Sequence, residues 1–466
     1  MRLAQRGIGM HTVTLEKQEE SLLGKVLTWL RGFLNSYLFY VFEVLFAFYF
    51  VVIGNEVIGA IVFAAMLSLI LLICDDILPT TLPFLLLCTF ATNCYDSFDT
   101  FMAYAPYAPI ILGCFAYHFI VYHKTFTVGS SLKGIFAVSI AVCLGGIGRY
   151  SVLEYAKGSY YVLGLGFGMM LTYMLMKSEF GVNHDYDIKE RFSVIMMLDG
   201  ILCVMIILWG YYLHSIDAVT GHYPYNFSSN NIATMLLFAM PFPLYLAKKN
   251  GWWAAVTPLL FGVLCLSTSR GGMLCGCVLF VACALYWIFN ADEKGRKIRF
   301  WICVGALLLV LLVFGKMILE TVIERFINEG IFYDDHRTPM IFEAIENFCE
   351  NPLVGTGILD DDITYGAFNK KGTMTWYHMM IPQIVASMGL VGVAAYSYQI
   401  VERVKSIFKN GNWWSWCLGI SYLGILLMSQ FNPGEFCPLP FELLTVLLFI
   451  FQEERYARFA LWDKKV

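Results

Sequence analysis

Charged residues are scarce in this sequence. Only 14% of its 466 residues are Asp, Glu, Lys or Arg, whereas 59% are hydrophobic and 16% are aromatic. The mean hydropathy is +0.66, and a soluble chain of this length could not bury so much apolar surface. The basic residues are dispersed and the net charge is −4, which leaves no basic stripe for nucleic acid. The composition predicts an integral membrane protein that contacts the lipid bilayer and binds no nucleic acid.

Metal-binding cysteine motifs are also absent. The 14 cysteines include no C-x-x-C pair, and most of them lie inside apolar runs. Cys275 and Cys277 stand two residues apart, so on a helix they face different directions and do not suit one zinc ion. We therefore expect the cysteines to pack between helices, and we predict neither a metal site nor another cofactor.

A cleavable signal pattern is missing as well. Residues 1–35 are polar and charged and lack a short apolar core followed by small residues. Within them, the stretch SLLGKVLTWLRGFLN mixes apolar and basic residues in the manner of an interfacial helix. We expect these residues to form a cytoplasmic tail that carries this helix.

Long apolar runs fill the rest of the chain. A helix of roughly 20 apolar residues crosses the hydrocarbon core. Runs of about that size start near residues 36, 57, 77, 104, 134, 159, 193, 229, 252, 270, 299, 377, 413 and 437. The apolar stretch 252–289 is too long for one helix, and it divides at STSRGG (267–272) because glycine pairs and arginine disfavour a mid-membrane helix. We predict an all-α polytopic membrane protein with about 12–14 transmembrane helices.

The distribution of Lys and Arg predicts the orientation of these helices. With the N-terminus inside, 23 of the 31 Lys and Arg residues fall in segments predicted to be cytoplasmic, as the positive-inside rule expects. The predicted organisation is a cytoplasmic tail (1–35), transmembrane helices (36–318), one long extracytoplasmic loop with short helices (319–376), C-terminal transmembrane helices (377–452) and a cytoplasmic tail (453–466).

Two arginines on the predicted outer side are exceptions to that rule. Arg270 lies in a tight turn between two spans, after Ser269 and before two glycines that allow close backbone approach. Its alternative role is to reach the lipid headgroups. Arg337 precedes IFEAIENF, whose apolar spacing predicts an amphipathic helix starting near Thr338 and Pro339. Its alternative role is a salt bridge to Asp334 or Asp335.

One histidine stands at the end of the predicted outer loop. His378 opens an apolar run, WYHMMIPQIVASMGLVG (376–392), that glycine interrupts at 389 and 392. A histidine at this position can act as a base near neutral pH, or it can merely bond a loop carbonyl at a helix N-terminus. Small residues three apart on one helical face predict close packing of a neighbouring helix at Gly389 and Gly392.

These motifs, in this order, resemble the signatures of the bacterial O-antigen ligase and O-antigen polymerase superfamily. His378, Gly389 and Gly392 are similar to its H-N-x(9)-G-x-x-G motif, and STSRGG resembles its T-x-S-R-G-[AG] turn. HRTPMIFEAIENFCENPLVGTGI resembles its R-x(3)-W-x-x-A…P-x-x-G-x-G segment, and NFSSNNIATMLLFAMP resembles its N-P-N-x-x-A helix start, with Asn231 matching. The resemblance spans roughly residues 220 to 395. Met379 stands where the family has asparagine, and Asn230 stands where it has proline.

The resemblance implies an inverting, metal-independent glycosyltransferase of the membrane-embedded GT-C type. Such an enzyme moves a glycan from undecaprenyl pyrophosphate to an acceptor hydroxyl at the outer face of the plasma (inner) membrane. Arg270 and Arg337 would bind the pyrophosphate, and His378 would act as the base. Further substrate-binding candidates are Asn231, Ser269, Glu435 and Arg149.

Several alternatives stay open. The acceptor could be a glycan, a lipid or a protein, as in a protein O-oligosaccharyltransferase of the same superfamily. A lipid-linked glycan flippase would show two similar halves and cationic residues inside its spans, and the sequence has no visible internal repeat. Asp360, Asp361 and Asp362 form a D-x-D motif that could bind a metal, although adjacent acids in an outer loop are usually solvated. Residues 1–219 carry no such motif and are expected to form scaffold and a lipid-facing wall.

Overall fold

The protein has an all-α polytopic membrane fold. A computed structural model describes residues 22–93, 108–122, 127–145, 164–180, 186–213, 228–290, 293–328, 337–357, 377–432 and 439–462. These residues form helices joined by turns, and none of them forms a β-strand. The predicted fold class is confirmed.

The described residues form 17 α-helices. In chain order they are α1 Leu22–Leu34, α2 Tyr37–Ile53, α3 Glu56–Ile73, α4 Thr81–Asn93, α5 Ala108–Val121, α6 Leu132–Gly145, α7 Met169–Phe180, α8 Ile188–Tyr212, α9 Ser229–Ala239, α10 Phe242–Leu246, α11 Val256–Leu264, α12 Arg270–Phe289, α13 Glu293–Val322, α14 Arg337–Glu350, α15 Met380–Asn410, α16 Trp413–Met428 and α17 Leu439–Trp462. A described helix occupies each predicted apolar run.

The helices differ in whether they are long and apolar enough to cross a membrane. By length and composition, four described helices can each span a membrane, namely α8, α12, α13 and α15, and α1 with α2 makes a fifth as a pair bent by 67°. Six shorter apolar helices lie between them. Some runs are interrupted by proline, as where Pro241 separates α9 from α10. The core lies around α8, α9 and α16, whose inward side chains are almost entirely apolar.

The long apolar stretch 252–289 is divided where the sequence predicts it. Helix α11 ends at Leu264 and α12 starts at Arg270. Between them Thr268 adopts a left-handed backbone, with φ at 56°, which is rare for a β-branched residue. On α12, Cys275 is buried and Cys277 is exposed, which confirms that the two cysteines face different directions.

Helix α15 is broken in its N-terminal third at Gly389. This residue has φ 56° and ψ −149°, so the helical hydrogen bonds around it cannot form. The segment 352–357 occupies the break and replaces those bonds. The N–H groups of Thr356 and Gly357 donate to Ala386 O and Ser387 O at 2.8 and 3.1 Å, and Pro352 O and Leu353 O accept from the N–H groups of residues 390 and 391 at 2.9 and 3.1 Å. We call residues 352–357 the inserted segment.

Two glycines make this insertion sterically possible. A Cβ on Gly389 would lie 2.6 Å from Pro352 O and 2.8 Å from Gly355 N. A Cβ on Gly355, whose φ is 71°, would lie 2.4 Å from Met388 N. The expected role of Gly389 in packing a neighbouring helix is therefore replaced by backbone contact with the inserted segment. At Gly392 a Cβ would instead meet Met388 Cβ, within the same helix, at 2.4 Å.

Helix α14 packs against the start of α15. Its residues Met340 and Ala344 form a small buried cluster with Tyr377 and Ala386, and Asn347 Nδ2 donates to the Tyr377 hydroxyl at 2.8 Å. The helix begins at Arg337, just before the predicted start near Thr338. These contacts hold α14, the inserted segment and the start of α15 together.

The first half of the chain also reaches this region. Helix α6 packs along α15 through Val138, Val142, Met388 and Tyr396. At its end, a Cβ on Gly145 would lie 2.7 Å from Met388 Cα and 2.8 Å from Val354 O. The scaffold expected in residues 1–219 thus touches the inserted segment directly.

Replacing Gly389 by alanine tests the insertion. The new methyl group would overlap backbone atoms, and the left-handed conformation alone costs about 1–2 kcal/mol. We expect Gly389→Ala to lower both the membrane abundance of the protein and its unfolding temperature in detergent. Gly305→Ala is the matched control, because a Cβ there meets no atom within 4 Å and alanine favours a helix by about 1 kcal/mol over glycine. Equal unfolding temperatures for the two variants would contradict the insertion.

Candidate functional site

The residues that follow α16 form the centre of the candidate site. Ser429 O accepts from the Met380 N–H at 2.8 Å, and Phe431 O accepts from Arg337 Nη2 at 3.4 Å. Asn432, which is 6% exposed, donates from Nδ2 to Asn231 Oδ1 at 2.8 Å. Residues 429–432 thus contact the starts of α9, α14 and α15. We call them the junction segment.

The start of α12 lies against the same segment. A Cβ on Gly271 would lie 2.5 Å from the Phe431 ring, so the absence of a side chain there lets the ring approach the backbone beside Arg270. Arg270 is the first residue of α12 and is half-buried. A Cβ on Gly272 would lie 2.6 Å from Ala233 Cβ on α9. The glycine pair predicted to allow close approach therefore does so, toward Phe431 and α9.

Ser269 caps α12 and connects it to α9. Its Oγ accepts from the Gly272 N–H at 3.0 Å, which is the usual N-cap contact. The same hydroxyl donates to Asn230 Oδ1 at 2.7 Å. The Asn230 side chain, at the position of the family proline, thus supplies an acceptor that proline lacks. Ser269 and Asn231 are both buried. The Ser269–Asn230 bond fixes the start of α12 against the start of α9, whereas Asn231 accepts from Asn432 of the junction segment.

Arg337 occupies the first position of α14 and is half-buried. Its contact with Phe431 O is long, at the weak end of the hydrogen-bond range. That contact points the guanidinium toward the junction segment. The carboxylates considered as alternative partners, Asp334 and Asp335, lie outside the described residues.

His378 lies two residues before α15 and is half-buried. Its backbone is left-handed, with φ at 55°, which is uncommon for any residue other than glycine. On one side of it Tyr377 is buried and its N–H donates to Gln383 Oε1 at 3.0 Å. On the other side Met379 is the N-cap residue of α15, without a capping side-chain bond. His378 therefore lies in a turn that the start of α15 defines.

The electrostatic character of this site follows from its helix ends. Helices α12, α14 and α15 all begin at or beside it, and the N-terminus of a helix carries partial positive charge and unpaired N–H groups. Arg270 and Arg337 add two full positive charges at two of these N-termini. Such an arrangement favours an anion, and phosphate groups are common ligands of helix N-termini.

Sequence reasoning missed several members of the site. Phe431, Asn432 and Gln383 were not singled out, although each makes a contact described above. For Asn432 the only local sign is the turn sequence FNPGEFCP, in which Glu435 is the residue predicted to bind substrate. For Gln383 the sign was a polar residue inside an apolar helix start. Neither sign identifies a partner that is distant in the sequence.

Two predicted substrate-binding residues are outside the described part of the chain. Glu435 belongs to 433–438, directly after the junction segment, and Arg149 belongs to 146–163, directly after Gly145. The acidic residues 360–362 also lie outside it. Among the described residues, no group of three or more His, Cys, Asp or Glu side chains is arranged to hold a metal ion.

Part of the chain matches a known protein family. Residues 255–397 match the family model described as O-Antigen ligase. This part of the chain is similar to O-antigen ligases, and we call it the matched region. It includes Arg270, Arg337 and His378, as well as the inserted segment and Gly389. Searches of curated proteins and of solved structures gave no match to the chain.

The matched region does not contain the whole candidate site. It begins after Asn231 and ends before the junction segment. Asn231 lies on α9 and bonds Asn432 of the junction segment, whose Phe431 O accepts from Arg337 inside the matched region. Residues outside the matched region therefore contact the elements that carry its arginines.

The Ser269–Asn230 bond can be tested by a double-mutant cycle. Ser269→Ala removes an N-cap and should cost about 1 kcal/mol of unfolding free energy. Because Ser269 and Asn230 share a hydrogen bond, we expect coupling of about 0.5–1.5 kcal/mol between Ser269→Ala and Asn230→Ala. Asn412→Ala is the matched control, since Asn412 caps α16 by accepting from the Ser415 N–H at 3.1 Å and does not contact Asn230. Additive effects of the first pair would show that the bond is not formed.

Proposed function

We propose that this protein is an inverting glycosyltransferase that transfers a glycan from undecaprenyl pyrophosphate to an acceptor hydroxyl. The reaction takes place at the outer face of the plasma membrane during the synthesis of a cell-surface polysaccharide. The similarity of residues 255–397 to the O-antigen ligase family supports ligase- or polymerase-type chemistry in general. The observation that carries the specific proposal is the meeting of two arginines and three helix N-termini around the junction segment.

The arginines stabilise the pyrophosphate leaving group. As the bond to the anomeric carbon breaks, negative charge develops on the pyrophosphate, and preorganised donors stabilise that charge most when water is excluded. Arginine suits this task because its planar guanidinium stays charged and can donate two parallel hydrogen bonds to phosphate oxygens. Arg270 and Arg337 are half-buried and lie on separate helices, which lets them approach the pyrophosphate from two sides.

His378 accepts the proton of the acceptor hydroxyl. Inversion requires the acceptor hydroxyl to attack the anomeric carbon from the side opposite the pyrophosphate, and the hydroxyl loses its proton as the new bond forms. An imidazole near neutral pH can accept that proton. The proton moves from the hydroxyl to His378, and the electron pair of the broken bond leaves with the pyrophosphate. No metal or other cofactor is part of this scheme.

The remaining predicted residues bind the substrates. Ser269 is buried next to Arg270 and caps α12, and Asn231 is buried and bonds Asn432 of the junction segment. Glu435 and Arg149 follow segments that end beside the site, and we assign them to contacts with sugar hydroxyls and phosphate. The acceptor is a glycan, a lipid or a protein. Purified protein in liposomes with an undecaprenyl-pyrophosphate oligosaccharide distinguishes these cases, because a polymerase gives a product ladder and a ligase gives one addition on a supplied lipid or protein.

Charge-conserving substitutions test the arginines. We expect Arg270→Lys and Arg337→Lys each to reduce transfer about a hundredfold or more, because a buried transition-state donor is worth roughly 3–4 kcal/mol and lysine cannot make a bidentate contact. The single-turnover rate measures the effect. Arg299→Lys serves as the control, since Arg299 is on the predicted cytoplasmic side and lies over the rings of Trp287 and Trp413. Wild-type transfer by Arg270→Lys would assign that residue a structural role.

Asparagine is the informative replacement for His378. It tolerates a left-handed backbone better than alanine does, so His378→Asn keeps the turn and removes the base. We expect a rate loss of about 10²–10⁴-fold with normal membrane abundance and normal donor binding. The rate is measured in single-turnover transfer without added metal. Parental transfer by a variant that binds donor would leave His378 as a residue of the turn alone.

The orientation of the protein is tested by labelling. Cys349 is exposed on α14, so the experiment uses a Cys349→Ser background. A cysteine placed at Lys370 should then react with an impermeant maleimide added outside intact cells, because residues 319–376 are predicted to be extracytoplasmic. A cysteine placed at Lys409 should react only after permeabilisation. Labelling of the Lys370 position from the inside alone would reject the outer-face mechanism.

A further inference from the structure

The imidazole that the proposed mechanism uses as a base depends on an unusual backbone conformation. His378 has φ at 55°, a region that residues with a Cβ rarely adopt. Such conformations persist where the surrounding structure imposes them. The direction of the His378 side chain therefore depends on the contacts that hold the chain just before and just after it.

Gln383 holds the backbone N–H of Tyr377, the residue just before His378. Its Oε1 accepts from the Tyr377 N–H at 3.0 Å, and its Nε2 donates to Ser387 Oγ at 3.1 Å. Because an amide oxygen accepts and an amide nitrogen donates, the two bonds allow only one orientation of the side chain. Gln383 is fully buried, so water does not compete for these bonds. Its side chain reaches back over the helix start, in the manner of a capping-box residue.

The N-cap residue of α15 does not supply this restraint. Met379 makes no side-chain capping bond, and the Met380 N–H is bonded by Ser429 O from another helix. Pro382 has no N–H to satisfy, and the N–H of Gln383 donates to Met379 O at 3.1 Å. After His378, the N–H groups of Met380 and Gln383 are thus bonded to backbone carbonyls. Before His378, the N–H of Tyr377 is bonded to the side chain of Gln383.

The same amide is connected to the inserted segment. Ser387 accepts from Gln383 through its hydroxyl, and its backbone carbonyl accepts from the Gly357 N–H at 3.1 Å. Tyr377 is also held from α14 by Asn347. Gln383 therefore lies between the backbone insertion at the helix break and the turn that carries His378.

We propose that Gln383 is a positioning residue for His378. Its buried amide fixes the Tyr377 peptide and thereby the left-handed turn that presents the imidazole to the acceptor hydroxyl. This assignment rests on the proposed function of His378 as the base.

Gln383→Met removes the amide at nearly constant side-chain volume. In liposomes with an undecaprenyl-pyrophosphate oligosaccharide, we expect the single-turnover rate to fall about 10- to 100-fold with donor affinity unchanged, because a small misplacement of a catalytic group has costs of that order. Hydrogen exchange at the Tyr377 amide, followed by mass spectrometry, should become faster. In Gln383→Glu, the new carboxyl group still accepts from the Tyr377 N–H, and the Ser387 hydroxyl can donate to the same group. We therefore expect this variant to keep the Tyr377 amide protected from exchange and to retain most of the transfer rate.

Gln399→Met is the matched control. Gln399 is on the same helix and is 4% exposed, but it packs against Gly134 in the inner part of α15. We expect it to leave the transfer rate and the Tyr377 exchange rate unchanged. If Gln383→Met does not reach the membrane, Ser387→Ala takes its place, because it removes the acceptor that orients the amide and should also speed exchange at Tyr377.

The outcomes separate this inference from the function on which it rests. Normal transfer by His378→Asn would reject the base itself. Loss of transfer by His378→Asn, together with normal transfer and normal exchange in Gln383→Met, would overturn the role of Gln383 alone. We expect transfer to be slow in Gln383→Met, close to the parental rate in Gln383→Glu, and unchanged in Gln399→Met.

Discussion

The backbone insertion at Gly389 is the interaction on which the arginine-bearing end of this protein depends. A broken helix inside a membrane protein is tolerated where other groups satisfy the freed backbone atoms, since unpaired N–H and C=O groups are very costly there. Here the inserted segment supplies two donors and two acceptors to α15. The long loop before it is thereby anchored in the middle of a helix. Helix α14, which carries Arg337, and the turn that carries His378 are consequently parts of one unit.

The site combines this unit with helices that start at the same place. A helix that begins inside a protein brings its positive end to that point, so three such starts with two arginines create a strong preference for an anion. The arrangement also requires tight turns. Thr268 and His378 both have left-handed backbones directly before a helix start, and such strain is found where surrounding contacts are strong enough to impose it. Ser269 supplies those contacts at the first turn, and Gln383 supplies them at the second.

The sequence predicted the helices and the charged residues of the site, but it did not predict how they meet. Apolar runs fix where a chain can be helical in a membrane, and Arg270 and Arg337 stood out because outer arginines break the positive-inside rule. Gly389 was noticed as a glycine in an apolar run, but it predicted only close helix packing, since the helical pattern continues on both sides of it and the cause of the break is a distant backbone segment. The junction segment was missed for the same reason: Asn432 meets Asn231 across 201 residues of sequence. Hydrogen bonds of that kind are formed by packing, which a periodicity analysis does not see.

The opposite end of the bundle is held by buried polar contacts of a different kind. His118 Nε2 lies 3.0 Å from Cys74 O, and since a carbonyl only accepts, that nitrogen carries a proton. The other ring nitrogen lies 3.0 Å from Glu179 Oε1, so the histidine and the acid share one further proton between them. Glu453 accepts from the Tyr173 hydroxyl at 2.6 Å and so ties the last helix to α7. Side-chain bonds of this kind join regular helices without breaking them. Among the described residues, the irregular backbone is concentrated at the arginine-bearing end, where the inserted segment and Gln383 hold it in place.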